Sequence, residues 1–399
     1  MVPSGEKLSI RAVPCSILGM ASKSILRDFF SDVPDPRVER TRKHRLGDII
    51  AIVLMGLMGG CRSWGDMHAF VDSGPEELRD MLELPNGVPS KDTLRRVISA
   101  LDPASFGEAF TKWANTLCGS TSGKLVAIDG KTVRGAGRSN DVAGALHLVN
   151  AWVKEDGVAL GQYATDVKSN EITAIPAFLK LLSLDGAVVS TDAMGCQREI
   201  AEAVRAQGAD YVFGLKRNHP TFHDEVASAF GDDERRELEQ TNKHFHEESD
   251  KGHGRLETRR TWVLHDTDWL SRTGEWKDLR SLILVESERT TKGATSIERR
   301  CYISSLDAPA ERISELVRGH WEVENKLHWV LDVTFGEDHT RVSKRNGAEN
   351  LALMRKMALN MLKRTPVDRG ANTMIARQRL AHCRPDYLRR ALGAGITED

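Results

Sequence analysis

The 399-residue sequence lacks the features that define several protein classes. Its six cysteines form no CxxC motif and no close pairing pattern, which argues against a disulfide framework and favours a reducing compartment. The longest apolar run, Ile49–Gly60, is too short to span a bilayer. Pro14 interrupts the only stretch that resembles a signal peptide, Ala12–Ala21. We therefore predict a cytoplasmic protein.

The sequence also has no overall excess of either charge, since its net charge is −1. The basic residues are nevertheless unevenly distributed. Arg37–Arg45 has five Lys or Arg against one acid, and Arg341–Arg390 has thirteen against three. Such segments are commonly solvated helix faces, but two of them flanking a neutral middle are also typical of proteins that bind polyanions. Composition alone leaves both interpretations open.

Residues 24–118 have the hydrophobic periodicity of helices. Within PSKDTLRRVISALD, Ser90 is a predicted N-cap, and apolar residues at helical spacing predict one buried face. Arg95 and Arg96 fall on the opposite side, where they could contact phosphate or water. The buried face is predicted to consist of Leu94, Val97, Ile98 and Leu101.

After Gly119 the pattern changes to three strands, a helix, a strand, a helix and a strand. This order is that of a ribonuclease-H-like fold. Alternating runs between about Gly231 and Asp307 predict a β-rich insertion. A helix is predicted from Ala310 to about Trp329, and a last basic helix over 348–363. The predicted fold class is therefore α/β: a ribonuclease-H-like core with a β-rich insertion, preceded by a helical N-terminal domain.

Two aspartates follow apolar strands of this predicted core. Asp129 lies in VAIDGKTVRG and Asp192 in VVSTDAMG. Alone, the Asp-Gly pair at 129–130 could be an ordinary strand end leading into a turn. The first and fourth strands of a ribonuclease-H-like sheet are however neighbours, about 4.8 Å apart. The two carboxylates would then face each other and need a cation between them, and Mg²⁺ is the ion that prefers such oxygen ligands.

The third acid of a two-metal site has two candidates in VRGHWEVENKLHWVLD, Glu322 and Glu324. At about 100° per residue, Glu324 lies within roughly 60° of the apolar stripe of this helix, and Glu322 points about 160° away. Because the stripe must face the sheet, we predict that Glu324 faces the aspartates and Glu322 faces water. The stripe consists of Ile313, Val317, His320, Leu327 and Leu331.

The same helix allows a different metal site. His320, Glu324 and His328 recur every four residues, a spacing that can place zinc ligands on one helix face. The arrangement is not the HExxH motif, and such spacing matches are weak evidence. We keep it as an alternative to the carboxylate site.

Several short motifs occur together between about residue 24 and 365. They are DPR at 35–37, RKHRLGDI, GVPSKDTLRRV, AIDGKTVRGA, STDAMGCQ, HGRLETR and HWEVENKLHWVLDVTFGEDHTR. In this combination and order they resemble the bacterial insertion-sequence transposases of the ISAs type, also called H-repeat-associated proteins, within the DDE superfamily. In the broader group the helix motif is YRxRWxIE. Here VRGHWEVE has Val317 and His320 in place of the tyrosine and the second arginine, whereas Arg318 is retained.

The resemblance implies a transposase with catalytic and metal-binding acids at Asp129, Asp192 and Glu324. It would use Mg²⁺, with Mn²⁺ able to substitute, as two ions. It would act on double-stranded DNA, both the inverted repeats of its element and the target, as a homodimer on paired ends. Residues expected to contact DNA are Lys131, Arg134, Arg318, His320, Lys216, His253, Arg255, Trp262, Arg95 and Arg96.

The implied organisation has five parts. These are a leader (1–23), a helical DNA-binding domain (24–118), a catalytic core (119–230 and 308–365), an inserted β-rich domain (231–307) and a basic C-terminal tail (366–399).

Two other functions are compatible with the sequence, a domesticated non-catalytic DNA-binding protein and a plain metal-dependent nuclease. The presence of all three acids favours catalysis, but strand transfer and hydrolysis use the same acids.

Overall fold

The computed structural model describes residues 30, 32–134, 146–165, 171–252, 255–270, 273–291, 294–339, 342, 345–367 and 370–393. The predicted leader, residues 1–23, lies outside this set. The N-terminal region is helical, as predicted. Its helices are α1 (Leu46–Met58), α2 (Trp64–Asp72), α3 (Glu76–Arg79), α4 (Lys91–Ile98) and α5 (Pro103–Cys118).

Local sequence explains where these helices begin. Ser63 forms a capping box with Asp66 at the start of α2. Ser90 caps α4 by accepting from the Thr93 amide at 3.3 Å, as predicted. Asp102 accepts from the Ser105 amide at the start of α5. The predicted apolar face of α4 is buried throughout: Leu94, Val97, Ile98 and Leu101 are at most 1% exposed.

The centre of the molecule is a nine-stranded sheet with the order β3-β2-β1-β4-β5-β9-β8-β7-β6. Its first three strands are antiparallel, whereas β1, β4 and β5 run parallel. This is the predicted ribonuclease-H-like arrangement, with the first and fourth strands adjacent. The strands are β1 (Leu125–Val133), β2 (Leu146–Val153), β3 (Val158–Thr165), β4 (Val188–Thr191) and β5 (Asp210–Leu215).

Helices cover this part of the sheet. The chain passes through α6 (Glu171–Leu179) between β3 and β4, and through α7 (Arg198–Ala206) between β4 and β5. Gly161 of β3 lies close to α6, because a Cβ there would lie 3.0 Å from a ring carbon of Phe178. The strands and helices together bury a continuous apolar core.

The β-rich insertion extends the same sheet instead of forming a separate one, because β9 pairs with β5 in antiparallel register. Its strands are β6 (Phe245–Gly252), β7 (Arg255–Leu264), β8 (Ser281–Thr291) and β9 (Ala294–Ser304), preceded by helices α8 (Pro220–Ser228) and α9 (Asp232–Leu238). Strand β6 was not predicted. Its sequence FHEESDKG lacks apolar alternation, since most of its side chains are solvent-exposed.

The chain then returns to the core through α10 (Ala310–His320) and two π-helical segments, Glu324–His328 and Val330–Thr334. Helix α11 (Arg345–Arg364) follows and packs against α1, α5 and β3. The predicted basic tail, residues 366–399, contains two helices among its described residues, α12 (Met374–Cys383) and α13 (Pro385–Gly393). Apolar side chains such as Leu388 and Ala391 join the core, which explains why this segment folds.

No helix among the described residues is long and apolar enough to cross a membrane.

Candidate metal centre and its surroundings

Asp129 and Asp192 lie at the same level on neighbouring strands. The parallel pairing of β1 with β4 ends at Ile128 and Thr191, so each aspartate is the next residue after the last pair. Asp129 does not end its strand, contrary to the sequence prediction. Strand β1 continues to Val133 because its antiparallel partner β2 is longer than β4. Asp192 follows the end of β4, and its Oδ1 accepts from the Met194 amide at 3.0 Å.

The helix that carries Glu324 widens as it passes the sheet. After α10 it becomes π-helical, and the Trp329 amide donates to the Glu324 carbonyl, five residues earlier. The angle of 100° per residue used in the sequence prediction therefore does not hold beyond His320. The predicted apolar stripe is nevertheless buried: Ile313, Val317, His320, Leu327 and Leu331 are all less than 9% exposed.

Asp129, Glu324 and His328 come together at this edge of the sheet. Each offers one ligand atom, and the three atoms lie within 4.8 Å of one another. His328 Nδ1 is 3.3 Å from Asp129 Oδ2 and 3.2 Å from Glu324 Oε2. Among the described residues this group contains Glu324 and not Glu322, whose carboxylate pairs with Lys326. His328 was considered only as part of a zinc pattern with His320, which is not in the group.

Electrostatics favour a cation at this position. Burial raises the pKa of Asp129 to about 6, and the nearby charges of Asp192 and Glu324 also raise it, whereas His328 lowers it. The pKa of Glu324 is lowered, chiefly by its hydrogen bond with His328. Among the described residues, the atoms close enough to share an ion come from Asp129, Glu324 and His328, while Asp192 is outside this group and acts on Asp129 through its charge. Two carboxylate oxygens fit a divalent ion that neutralises them. The residues present are therefore suited to hold such an ion.

A second charged cluster lies beside the first and is fully compensated. Lys131 is two residues after Asp129 on β1, and its ammonium pairs with Asp332 and, at 2.7 Å, with Glu337. Glu337 is completely buried. Burial alone would raise its pKa, but Lys131 and the two cations of α11 hold the pKa at about 2. Those cations are Arg355 and Lys356.

Comparison with known proteins decides which family the chain represents. Residues 120–361 match the model of the transposase DDE domain, and residues 27–114 match the model described as DDE_Tnp_1-associated. The chain belongs to the DDE transposase family. The domain match covers the nine-stranded sheet and the helix that carries Glu324.

Relatives of this transposase align along most of its length. The H repeat-associated putative transposase YhhI of Escherichia coli K12 is 35% identical over 381 residues, 93% of this chain and 99% of the relative. The putative protein YbfL of the same strain is 36% identical with the same coverage. The putative transposase YncI of Escherichia coli O157:H7 is 37% identical over 86% of this chain and 88% of the relative. The predicted family, H-repeat-associated insertion-sequence transposases, is confirmed.

Several residues predicted to contact DNA have other partners in this transposase. Lys131 is 7% exposed and bound between carboxylates, so its ammonium is not available to phosphate. His320 is also buried, with Nδ1 2.9 Å from Ser190 Oγ, and burial lowers its pKa to about 4. A neutral, enclosed imidazole cannot replace the arginine of the YRxRWxIE motif. The predictions that Lys131 and His320 contact DNA are therefore wrong, because both side chains are buried.

Trp262 is likewise buried and not available to a base. Only 2% of the residue is exposed, and the indole N–H donates to Glu239 at 3.1 Å. Arg235 lies over the ring at 5.3 Å. The alternating pattern of β7 placed this residue on a strand correctly, but its side chain faces the protein. Of its predicted neighbours, His253 and the side chain of Arg255 lie outside what the structure describes.

Other predicted contacts remain on the surface. Arg134 follows β1, and its backbone amide donates to Asp338 at 3.2 Å. Lys216 follows β5 and is exposed. Arg95 and Arg96 are exposed on α4, and Arg95 pairs with Asp92 at 3.3 Å. Arg318 is half exposed and pairs with Glu248 of β6 at 3.0 Å.

Some cations of the two basic segments, Arg37–Arg45 and Arg341–Arg390, have protein partners and are not free to bind a polyanion. Arg37 is held by Asp35 at 2.7 Å, and Arg45 pairs with Glu83. Arg355 and Lys356 are buried on α11, where they compensate Glu337. Local sequence could not reveal this, because a helix of mixed charge and apolar residues looks the same whether its charges face solvent or a buried partner. These buried cations cannot contact DNA.

A cavity of about 290 Å³ lies between the inserted strands and the helix of Glu324. The guanidinium of Arg300 lies 4.7 Å from the ring centroid of Trp321, which is 45% exposed. Asn325, next to Glu324 in sequence, also lines this cavity. Its lining is polar and includes four arginines, each paired with a glutamate: Arg259 and Arg289 with Glu257, Arg300 with Glu298, and Arg318 with Glu248.

Proposed function

We propose that this transposase cleaves the ends of its own insertion sequence and joins them to target DNA in a metal-dependent reaction. The observation that carries the proposal is the convergence of Asp129 and Glu324 at the edge where Asp192 leaves the adjacent strand. Family membership supports the same activity. The proposed catalytic acids are those three, as the sequence predicted.

The carboxylates define where the reacting phosphate would lie. Divalent ions held there, Mg²⁺ or Mn²⁺, would supply Lewis-acid chemistry at the phosphodiester oxygens. In the first step water attacks phosphorus at the element end, the P–O3′ bond breaks, and the proton lost by water is balanced by the one that the freed 3′-oxygen takes up. In the second step this 3′-OH attacks a target phosphorus, and the 3′-oxygen of the target strand leaves with the proton. Asp129, Asp192 and Glu324 remain ionised to hold the cations, and no protein–DNA covalent bond is formed.

The DNA would approach across the arginine-lined cavity. Arg300 and Arg318 face it, and Asn325 connects it to the helix of Glu324. Exposed basic residues outside the cavity, such as Arg134 and Lys216, extend the cationic surface near the strand ends. Guanidinium groups suit phosphate oxygens because they donate two parallel hydrogen bonds. We propose double-stranded DNA as the partner, bound by a homodimer that pairs two element ends.

Incubation with element-end DNA, target DNA and Mg²⁺ tests this function. Wild-type protein should give both cut ends and joined products. Asp129→Ala, Asp192→Ala and Glu324→Ala should each reduce cleavage by at least about 10³-fold, equivalent to about 4 kcal/mol, while end-DNA binding is retained. Glu322→Ala is the matched control, since this carboxylate pairs with Lys326, and it should keep most of the activity.

Three outcomes distinguish the alternatives. Cut ends without joined products would identify a plain nuclease. Binding without cleavage by the wild-type protein would identify a non-catalytic DNA-binding protein. Cleavage that survives Glu324→Ala but is lost in Glu322→Ala would show that the assignment of the third acid is wrong.

A further inference from the structure

His328 occupies a position between two of the proposed metal-binding carboxylates. Its Nδ1 is 3.3 Å from Asp129 Oδ2 and 3.2 Å from Glu324 Oε2, and the residue is 3% exposed. An imidazole placed this way either bridges the acids as a donor or shares an ion with them as a ligand. The separations among the three ligand atoms, all within 4.8 Å, are compatible with a common ion.

The other ring nitrogen of His328 faces a buried amide. Asn150 is completely buried and is the residue paired with Asp129 across β1 and β2. Its Nδ2 lies 3.5 Å from His328 Nε2, and also donates to the Leu148 carbonyl at 3.3 Å. Its Oδ1 is buried and has no hydrogen-bond partner among the described residues. A buried amide oxygen without a donor is costly, so this oxygen requires an explanation.

Rotation of the Asn150 amide by half a turn would bring Oδ1 to His328 Nε2, where it would accept a hydrogen bond from the ring N–H. The rotation would give up the 3.3 Å bond from Nδ2 to the Leu148 carbonyl, so a cation that fixes the Nε2–H tautomer of His328 has to favour it. In that tautomer Nδ1 carries a lone pair directed at two carboxylates, an arrangement that is unfavourable unless a cation lies between them. Histidine ligands in metal centres commonly donate their second N–H to a carbonyl oxygen in this way. Asn150 therefore provides the partner that a ligating His328 requires.

We infer that His328 is a nitrogen ligand of the divalent ion held by Asp129 and Glu324, and that Asn150 is the positioning residue that sets its tautomer. This inference rests on the proposed metal-dependent function and makes that function more specific. A site with one imidazole and two carboxylates binds Mn²⁺ more readily, relative to Mg²⁺, than a site of carboxylates alone. Asp192 would complete the centre from the adjacent strand.

Pulsed electron paramagnetic resonance on the full chain loaded with Mn²⁺ tests the ligand directly. The wild-type protein should show a nitrogen coupling from a directly bound imidazole, and labelling with ¹⁵N-histidine should replace it by the ¹⁵N signal. His328→Gln should lose the coupling and weaken Mn²⁺ binding by about tenfold or more. His320→Gln is the matched control, because His320 bonds Ser190 and lies outside the ligand group. It should retain the coupling.

The labelling comparison needs no variant and so does not depend on how His328→Gln folds. Mn²⁺ bound at Asp129 without any nitrogen coupling would overturn the inference, and so would a coupling that persists in folded His328→Gln. If DNA is cut in Mg²⁺ while either result is obtained, the proposed function stands and only the ligand assignment fails. Absence of both Mn²⁺ binding and DNA cleavage would overturn the proposed function together with the inference.

Discussion

Two charged clusters lie side by side on strand β1, and they differ in how their charges are balanced. Asp129 and Lys131 are separated by one residue, so their side chains leave the same face of the strand. Around Lys131, the carboxylates Asp332 and Glu337 are balanced by three cations, Lys131 included. Around Asp129, the charges of Asp192 and Glu324 are opposed by the imidazole of His328 and the Gly130 amide, and the charge of Lys131 also acts on Glu324.

The difference separates a structural cluster from a functional one. Burial of charge is tolerated when opposite charge is fixed nearby, and a protein then gains a rigid connection between its elements. Lys131 joins β1 to the segment that follows Glu324, and so holds the helix against the sheet. Among the described residues, Asp129 and Glu324 pair with His328 and with no lysine or arginine, as expected for a site that receives its cation from solution. The following predictions test this contrast.

The largest effect on stability should come from Lys131→Met. Removal of the ammonium takes away the one cation that pairs with both Asp332 and the completely buried Glu337, and only the charges of Arg355 and Lys356 then act on Glu337. Breaking a buried ion pair in this way typically costs about 3–5 kcal/mol. Urea denaturation should show this loss in the free energy of unfolding.

Lys124→Met provides the control for that measurement. Lys124 lies just before the same strand and pairs with Asp156 at 2.8 Å, but 24% of its side chain is exposed. The Lys124→Met variant should lose only about 1 kcal/mol of the free energy of unfolding. Equal losses in the two variants would contradict the view that the Lys131 cluster is a buried structural connection.

Asp129→Asn should raise the stability of the metal-free protein, whereas Lys131→Met lowers stability. The folded-state pKa of about 6 lies above the ordinary value of 3.8 for an aspartate, so ionised Asp129 destabilises the metal-free fold at neutral pH. The amide should therefore stabilise the metal-free protein by roughly 2 kcal/mol at pH 7. Because both states bind the proton at low pH, the gain should disappear as pH falls from about 6 to below 4. Thermal denaturation across this range measures it, and destabilisation at pH 7 would contradict the account.

The buried imidazole of His320 should make a smaller contribution to the free energy of unfolding, and this contribution should depend on pH. Burial lowers its pKa to about 4, below the ordinary value of 6.5 for a histidine, so the unfolded chain takes up the proton first. Stability from this residue is present above pH 6.5 and is lost as pH falls toward 4. The loss between pH 7 and 5.5 should be about 1 kcal/mol, and His320→Gln should reduce that dependence. An identical pH profile in the variant would show that His320 does not titrate in this range.

The smallest expected effect concerns exposed cations. Arg95→Gln combined with Arg96→Gln should leave stability nearly unchanged and reduce the slope of log affinity against log salt by about 2 for end DNA. Arg236→Gln is the control, because Arg236 is exposed and pairs with Asp233 on the insertion. A slope that is unchanged in the double variant would show that α4 does not contact phosphate.

Sequence patterns predicted the fold better than the environment of individual side chains. The order of strands and helices follows from local periodicity, and the neighbouring positions of Asp129 and Asp192 follow from that order. The pairing of Lys131 with Glu337 joins residues about two hundred positions apart, so no local pattern reveals it. The burial of Trp262 and Lys356 depends on which face of an element meets the core, and both faces of those elements carry mixed residues.

The π-helical turn at Glu324 shows a different limit of prediction from sequence, since it changes the angle between successive residues of the helix. Helical periodicity selected Glu324 correctly as the acid that approaches Asp129, although the assumed angle per residue was not maintained. The widened turn sets His328 beside both carboxylates. Its signal in the sequence was the four-residue spacing from Glu324, which was interpreted only as part of a pattern with His320. The tertiary contact with β1 distinguishes the two histidines.

Calorimetric titration of Mn²⁺ into wild-type, Glu324→Gln and Glu322→Gln proteins tests the central claim most directly, because the claim is that the uncompensated cluster is the metal centre. Both variants remove one negative charge from positions two residues apart on the same helix, so general electrostatic effects are matched. We predict that Glu324→Gln weakens Mn²⁺ binding by at least about tenfold, equivalent to about 1.4 kcal/mol, and that Glu322→Gln changes it by less than about twofold. Unchanged affinity in Glu324→Gln, with loss in Glu322→Gln, would contradict the account.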